Sequence, residues 1–166
     1  MNALNITCAV ADNINNFNYC EILLSTAKAT LTKCGISNGD ASIFITDDNQ
    51  IQQLNKSYRG LDEVTDVLSF SNDYEGQYYG IADNNHTGRT SIEFAIASDM
   101  RQQIGEIVIS LPQAQRQALG SIVSELVMLV AHGFLHLIGY DHIDEKEANE
   151  MEGLTRIIIE SVNLYE

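Results

Sequence analysis

Three of the four histidines in this 166-residue chain fall inside one short segment, His132-Gly133-Phe134-Leu135-His136-Leu137-Ile138-Gly139-Tyr140-Asp141-His142. No other feature restricts the fold as tightly. Upstream of it Val123, Leu126, Val127, Val130, Phe134 and Leu137 recur at helical spacing, and Ser121 can cap, so a helix is expected over Ile122–Ile138. His132 and His136 then leave the same face one turn apart, close enough to share a metal ion. Gly139 can take a positive φ, end the helix and swing His142 back as a third ligand. Three neutral imidazoles leave a fourth tetrahedral position for water, the arrangement of a catalytic rather than a structural zinc. A plainer reading makes His132 and His136 polar helix residues and His142 a turn residue. Against it, Glu125, Leu129, His132 and His136 form a stripe beside the apolar one, which sets the histidines on a separate, functional edge.

The rest of the chain supplies a scaffold. Leu4, Ile6, Cys8 and Val10 alternate with smaller or polar residues, a strand with one buried face. A helix follows from about Phe17 to Lys33, with Gly35 to end it. Ala41–Thr46 reads as a strand, Asp47 and Asp48 as caps, and Ile51, Leu54 and Tyr58 as one face of a second helix. Thr65–Phe70 and Glu106–Ser110 are further strands. Between them Ser71–Gln103 is too long for an ordinary connection and is expected to be a loop or small hairpin. Pro112 opens a short helix to Leu119, and a last helix runs from Glu145 to about Leu164 with Met151, Leu154, Ile158 and Ser161 on one face. The expectation is an α+β sandwich of about four strands and about five helices, one domain over residues 1–166, with the zinc site on a helix and the following turn.

Charge and cysteine content narrow the partners. Nine basic against 23 acidic residues give a net charge of −14, so long-range attraction cannot be what brings nucleic acid or an anionic membrane to this chain. A polyanion must be held locally, by a metal or a few placed cations. Cys8, Cys20 and Cys34 have no metal-ligand spacing and are an odd number, which argues against a disulfide framework and for a reducing cytoplasm. No basic leader opens the chain and no apolar run approaches a membrane span.

The histidine spacing equals that of the metzincin peptidase signature, except that Gly133 stands where the peptidases carry their general-base glutamate. A peptidase reading therefore lacks its proton acceptor. Phosphodiester cleavage demands less of a base, since zinc lowers the pKa of its water to about 7, but it requires a cation for the developing charge. Arg59, in Tyr58-Arg59-Gly60 between the second helix and the strand Thr65–Phe70, is the candidate. An ordinary surface arginine is the alternative. Asp141 and Glu125 are candidates for orienting an imidazole or accepting a proton, or are simply solvated carboxylates. Asp144–Glu152 reads as the wet start of the last helix, and His86 as a loop residue without a ligand.

His132–His142 resembles the signature of the YbeY-type rRNA maturation factors. The resemblance extends upstream through Leu54-Asn55-Lys56-Ser57-Tyr58-Arg59-Gly60, Thr65-Asp66-Val67-Leu68-Ser69-Phe70 and Gly105-Glu106-Ile107-Val108-Ile109-Ser110. The chain departs from the family's usual pattern at Ser71, at Glu106 and in the length of Ser71–Gln103. The resemblance implies a mixed β-sheet flanked by helices, one Zn2+ held by His132, His136 and His142, an important Arg59, and a single-strand-specific endoribonuclease in the cytoplasm. It implies action in maturation of the 3′ end of 16S rRNA and in ribosome quality control, with rRNA and the ribosome or a small-subunit ribosomal protein as partners and neither DNA nor membrane. A zinc-dependent peptidase-like hydrolase and a non-catalytic ribosome assembly factor are the rivals.

Overall fold

The computed structural model describes residues 3–71, 102–141 and 143–162. His86, His142 and all but the two ends of the expected Ser71–Gln103 loop lie outside the described residues. The described elements are β1 (Leu4–Val10), α1 (Cys20–Lys33), β2 (Gly39–Thr46), α2 (Asp48–Arg59), β3 (Val67–Ser71), β4 (Gln103–Ser110), α3 (Leu111–Gln117), α4 (Ile122–Leu137) and α5 (Glu145–Val162). Their sheet order is β1-β2-β4-β3, with β1, β2 and β4 parallel and β3 antiparallel against β4. This is the mixed sheet that the resemblance implies, built from the strands and helices that the hydrophobic pattern predicts.

Side chains alternate along each strand, which sorts the core into two faces. Ile43, Ile45, Ile107 and Ile109, with the apolar side of β1, pack against Leu23, Ala27 and Leu31 of α1 and Leu126, Val130, Phe134 and Leu137 of α4. Phe44, Leu68, Phe70 and Val108 point the other way, onto Ile51 and Leu54 of α2. A third layer forms where Met151 and Ile158 of α5 close over Ala131 and Leu135 of α4. Each fully buried aliphatic side chain contributes about 1.5–3 kcal/mol, so α4, gripped from two sides, is a rigid platform.

Several boundaries move for identifiable reasons. α1 begins at Cys20 rather than near Phe17, because Asn16 adopts φ 61° and Phe17 packs edge-to-face on Tyr19 at 5.3 Å, turning the chain first. β4 starts three residues early, since a register shift opposite Asp40 and Ala41 admits Ile104 and extends the pairing. β3 starts late because Asp66 Oδ1 accepts the Val67 N–H at 2.7 Å, a local turn ahead of the ladder. Caps fall at Asp47, Ser110 and Ser121, whose side chains accept from the backbone N–H groups of Gln50, Gln113 and Ser124.

Candidate metal centre

α4 is buried nearly all round in its second half, and this corrects one expectation. Leu129 and His136, on the stripe read as a separate edge, are 2% and 7% exposed, because α1 and the sheet cover one side of α4 while α5 covers another. His132 and Glu125 are half-buried. The histidine pair thus sits at the wall of the helix layer. A cavity of about 620 Å³ between α4 and α5, lined by Met128, His132, Met151, Thr155, Arg156 and Ile159, opens onto His132.

The end of α4 shapes the pair. Gly139 takes φ 110°, its N–H donates to the His136 carbonyl at 3.1 Å, and the Tyr140 N–H donates to the Leu135 carbonyl at 3.0 Å. This is the Schellman pattern, and the accompanying apolar contact is present: Tyr140 packs in the cluster that holds Leu135. The reversal carries the Tyr140 carbonyl back over the last turn, where it lies 2.9 Å from His136 Nδ1. A carbonyl only accepts, so Nδ1 carries the proton, and the neutral ring directs its Nε2 lone pair outward. That Nε2 lies 3.0 Å from His132 Nε2. Two nitrogens at zinc-bond length and a tetrahedral angle stand about 3.3 Å apart, so the donor set and its spacing fit one zinc ion. Among the described residues no group of three or more His, Cys, Asp or Glu side chains converges as a metal cage. His142, the third member of the expected trio, lies outside those residues.

The Tyr140 side chain ties the turn to α1. Burial pushes its hydroxyl pKa up, as do the neighbouring Cys34 thiol and Glu150. Burial also raises the pKa of Cys34, which caps the C-terminus of α1, while the hydrogen bond from Tyr140 pulls it back down.

Gly133 has a packing reason to be glycine. A Cβ there would lie 3.1 Å from Ile107 Cγ2 and 3.4 Å from Ser69 Oγ, and the Ser69 hydroxyl donates to the Gly133 carbonyl at 3.3 Å. The position faces the sheet. A glutamate in this place would be driven into β3 and β4 rather than toward the imidazoles, so the peptidase base has no room here.

The other sequence candidates are dispersed. Glu125 Oε2 accepts from Gln117 Nε2 at 2.7 Å, and the same amide donates to Asp66 Oδ2 at 2.9 Å, so Gln117 joins the start of β3 to the start of α4. Nothing in the local sequence marked Gln117, whose partners are 51 and 8 residues away. Asp141 is half-buried just beyond the turn. The carboxylates of Asp144–Glu152 are exposed, as expected of the wet start of α5. Arg59 ends α2, on the opposite face of the sheet from α4, where its neighbour Tyr58 packs edge-to-face on Phe70 of the edge strand β3 at 5.2 Å. Among the described residues its Nε is buried without a hydrogen-bond partner, and so is Asn55 Oδ1 one turn earlier. The structure therefore brings His132 and His136 together and leaves Arg59 on the far face.

Fold and site together define a class: an α+β protein with two histidines paired one turn apart at the end of a buried helix, without the glutamate of the peptidases. Comparison with known proteins makes this specific. The sequence matches the family model described as endoribonuclease YbeY over residues 5–163. It is 40% identical to endoribonuclease YbeY of Bacillus licheniformis over 121 residues, 70% of this chain and 68% of that one. With the Desulforamulus reducens protein of the same name it shares 36% identity over 151 residues, 89% of this chain and 88% of the other. The solution structure of TM1509 from Thermotoga maritima superposes with a TM-score of 0.51 at 23% identity, covering 96% of this chain and 88% of that one, a likeness of fold. The chain belongs to the endoribonuclease YbeY family.

Proposed function

We propose that this chain is a zinc-dependent, single-strand-specific endoribonuclease acting in 16S rRNA 3′-end maturation and ribosome quality control in the cytoplasm. The observation that carries this reading is the approach of His132 Nε2 to His136 Nε2 at 3.0 Å, with His136 Nδ1 committed to the Tyr140 carbonyl. His132, His136 and His142 would hold the ion. Bound there, zinc would supply a Lewis acid for a phosphoryl oxygen and lower the pKa of water to about 7.

The chain's own groups do the rest. The Tyr140 carbonyl fixes the tautomer and orientation of His136. Arg59, half-buried at the end of α2, offers a planar guanidinium suited to a phosphate oxygen of an RNA strand drawn around the β3 edge. Asp141, half-buried just beyond the turn, and Glu125, which accepts from Gln117, are the two carboxylates considered for the proton. Gly133 denies the site a peptidase base. A net charge of −14 makes unaided RNA capture weak and salt-sensitive, so the ribosome or a small-subunit ribosomal protein delivers the RNA.

An end-labelled single-stranded RNA carrying the immature 16S 3′ end, presented alone and on small subunits, tests the reading. Cleavage that stops with a chelator, returns with zinc and is absent in a folded His132→Ala protein supports it. Zinc-independent cleavage, or a His132→Ala chain that matures rRNA ends normally in a deletion strain, overturns it.

A further inference from the structure

The cysteines have no motif spacing, yet the β1–α1 connection brings two of them together. Cys8 points from β1 toward the helix layer, and Cys20 is the first residue of α1. Cys20 Sγ stands 2.6 Å from Cys8 Sγ, inside ordinary thiol–thiol contact, and 3.8 Å from the Cys8 carbonyl oxygen. Both thiols are free and half-buried, within reach of a small oxidant. Cys34 follows the other end of α1, about 20 Å along the helix axis, beside Tyr140, and cannot join the pair.

We propose that Cys8 and Cys20 form a reversible dithiol–disulfide modification site, oxidised by hydroperoxides. Cys20 meets the peroxide first, from the start of α1, while Cys8 is held in the ladder of β1. Cys8 is the resolving partner, its pKa pushed up by burial and then by the adjacent Cys20. The Cys20 thiolate attacks the O–O bond and takes one oxygen as sulfenic acid; the alkoxide that leaves picks up the thiol proton and becomes an alcohol. Cys8 sulfur then attacks the sulfenic sulfur, the S–O bond breaks, and hydroxide departs with the Cys8 proton as water. Two thiols have lost two electrons and two protons, and the peroxide has become alcohol and water. A dithiol reductant reverses the link. The proposal is independent of the nuclease reading, because neither sulfur belongs to the histidine site.

The test treats reduced full-length Cys34→Ser protein with tert-butyl hydroperoxide, alkylates it with iodoacetamide, and reads intact mass and peptides. The expected product is about 2 Da lighter, takes no alkyl group, yields one peptide pair joined through Cys8 and Cys20, and returns to two alkylatable thiols with dithiothreitol. In Cys8→Ser/Cys34→Ser protein, dimedone traps sulfenic acid on Cys20. The wild-type chain yields the same joined peptides, which keeps the test valid should Cys34→Ser fold poorly. Two alkylatable thiols surviving the oxidant, or sulfinic acid on either sulfur without a joined peptide, overturns the proposal.

Discussion

The ends of α4 and α2 each present a residue suited to phosphodiester chemistry, and they are built in opposite ways. At α4 everything is local: His132 meets His136 four residues on, His136 meets the Tyr140 carbonyl four further on, and Tyr140 returns its N–H to Leu135. The helix end completes its own hydrogen bonding and, in doing so, aims an imidazole. At α2 the helix also ends cleanly, on Gly60 with φ 75°, but Arg59 is left with a buried Nε that nothing in the described protein satisfies. A device assembled from neighbours is finished by folding. One assembled across the sheet is, on the proposed reading, finished by its RNA ligand.

The largest effect expected from attacking this contrast comes from Gly133→Glu, which restores the peptidase signature in letters only. The carboxylate would be forced against Ile107 and Ser69, lifting α4 from the sheet, at a cost of more than about 3 kcal/mol in urea unfolding and with no casein cleavage gained. Arg59→Ala should separate function from stability. RNA cleavage falls about a hundredfold or more, as for loss of a charge-stabilising donor, while the urea midpoint barely moves, because the Nε made no bond to lose. Arg59→Lys, without the planar fork, should recover little of that activity. Gly139→Ala strains the reversal itself. About 1–2 kcal/mol of stability should go, and zinc affinity should fall about tenfold or more through the displaced Tyr140 carbonyl, both read by calorimetry.

The smallest effect lies at the far end of α2, where Asp48 receives Arg116 across 2.8 Å and the Ser110 hydroxyl at the same distance. The hydrogen bond from Arg116, more than any other influence, holds the Asp48 carboxyl below its ordinary pKa. A depressed carboxylate stabilises the fold above its unfolded pKa of about 4 and ceases to do so as pH falls through the folded value. The melting-temperature gap between wild type and Asp48→Asn should therefore be small and constant near neutrality and close below pH about 4.

The same contrast explains what was legible in the sequence. Alternation in β1 and the helical stripe of α4 report burial directly, so strand and helix order followed from them, and Gly139 marked the turn because a positive φ is a local demand. The three-residue error at the start of α1 came from Asn16 and the Phe17–Tyr19 pair, whose geometry carries no periodic signal. The burial of His136 and Leu129 was hidden because α1 and the strands that help cover α4 are distant in sequence. Gln117 bridging Asp66 and Glu125, and Cys20 seated on Cys8, are tertiary contacts between residues whose spacing matches no motif. The opposite-face position of Arg59 was likewise fixed only once β3 took its place at the sheet edge.

The most direct measurement of the central claim is imidazole nitrogen-15 NMR of the full chain during zinc titration. Saturation at one ion per chain should shift Nε2 of His132 and His136 together while His136 Nδ1 stays protonated on the Tyr140 carbonyl. Zinc that binds with both Nε2 resonances unmoved, or that binds through His136 Nδ1, would contradict it.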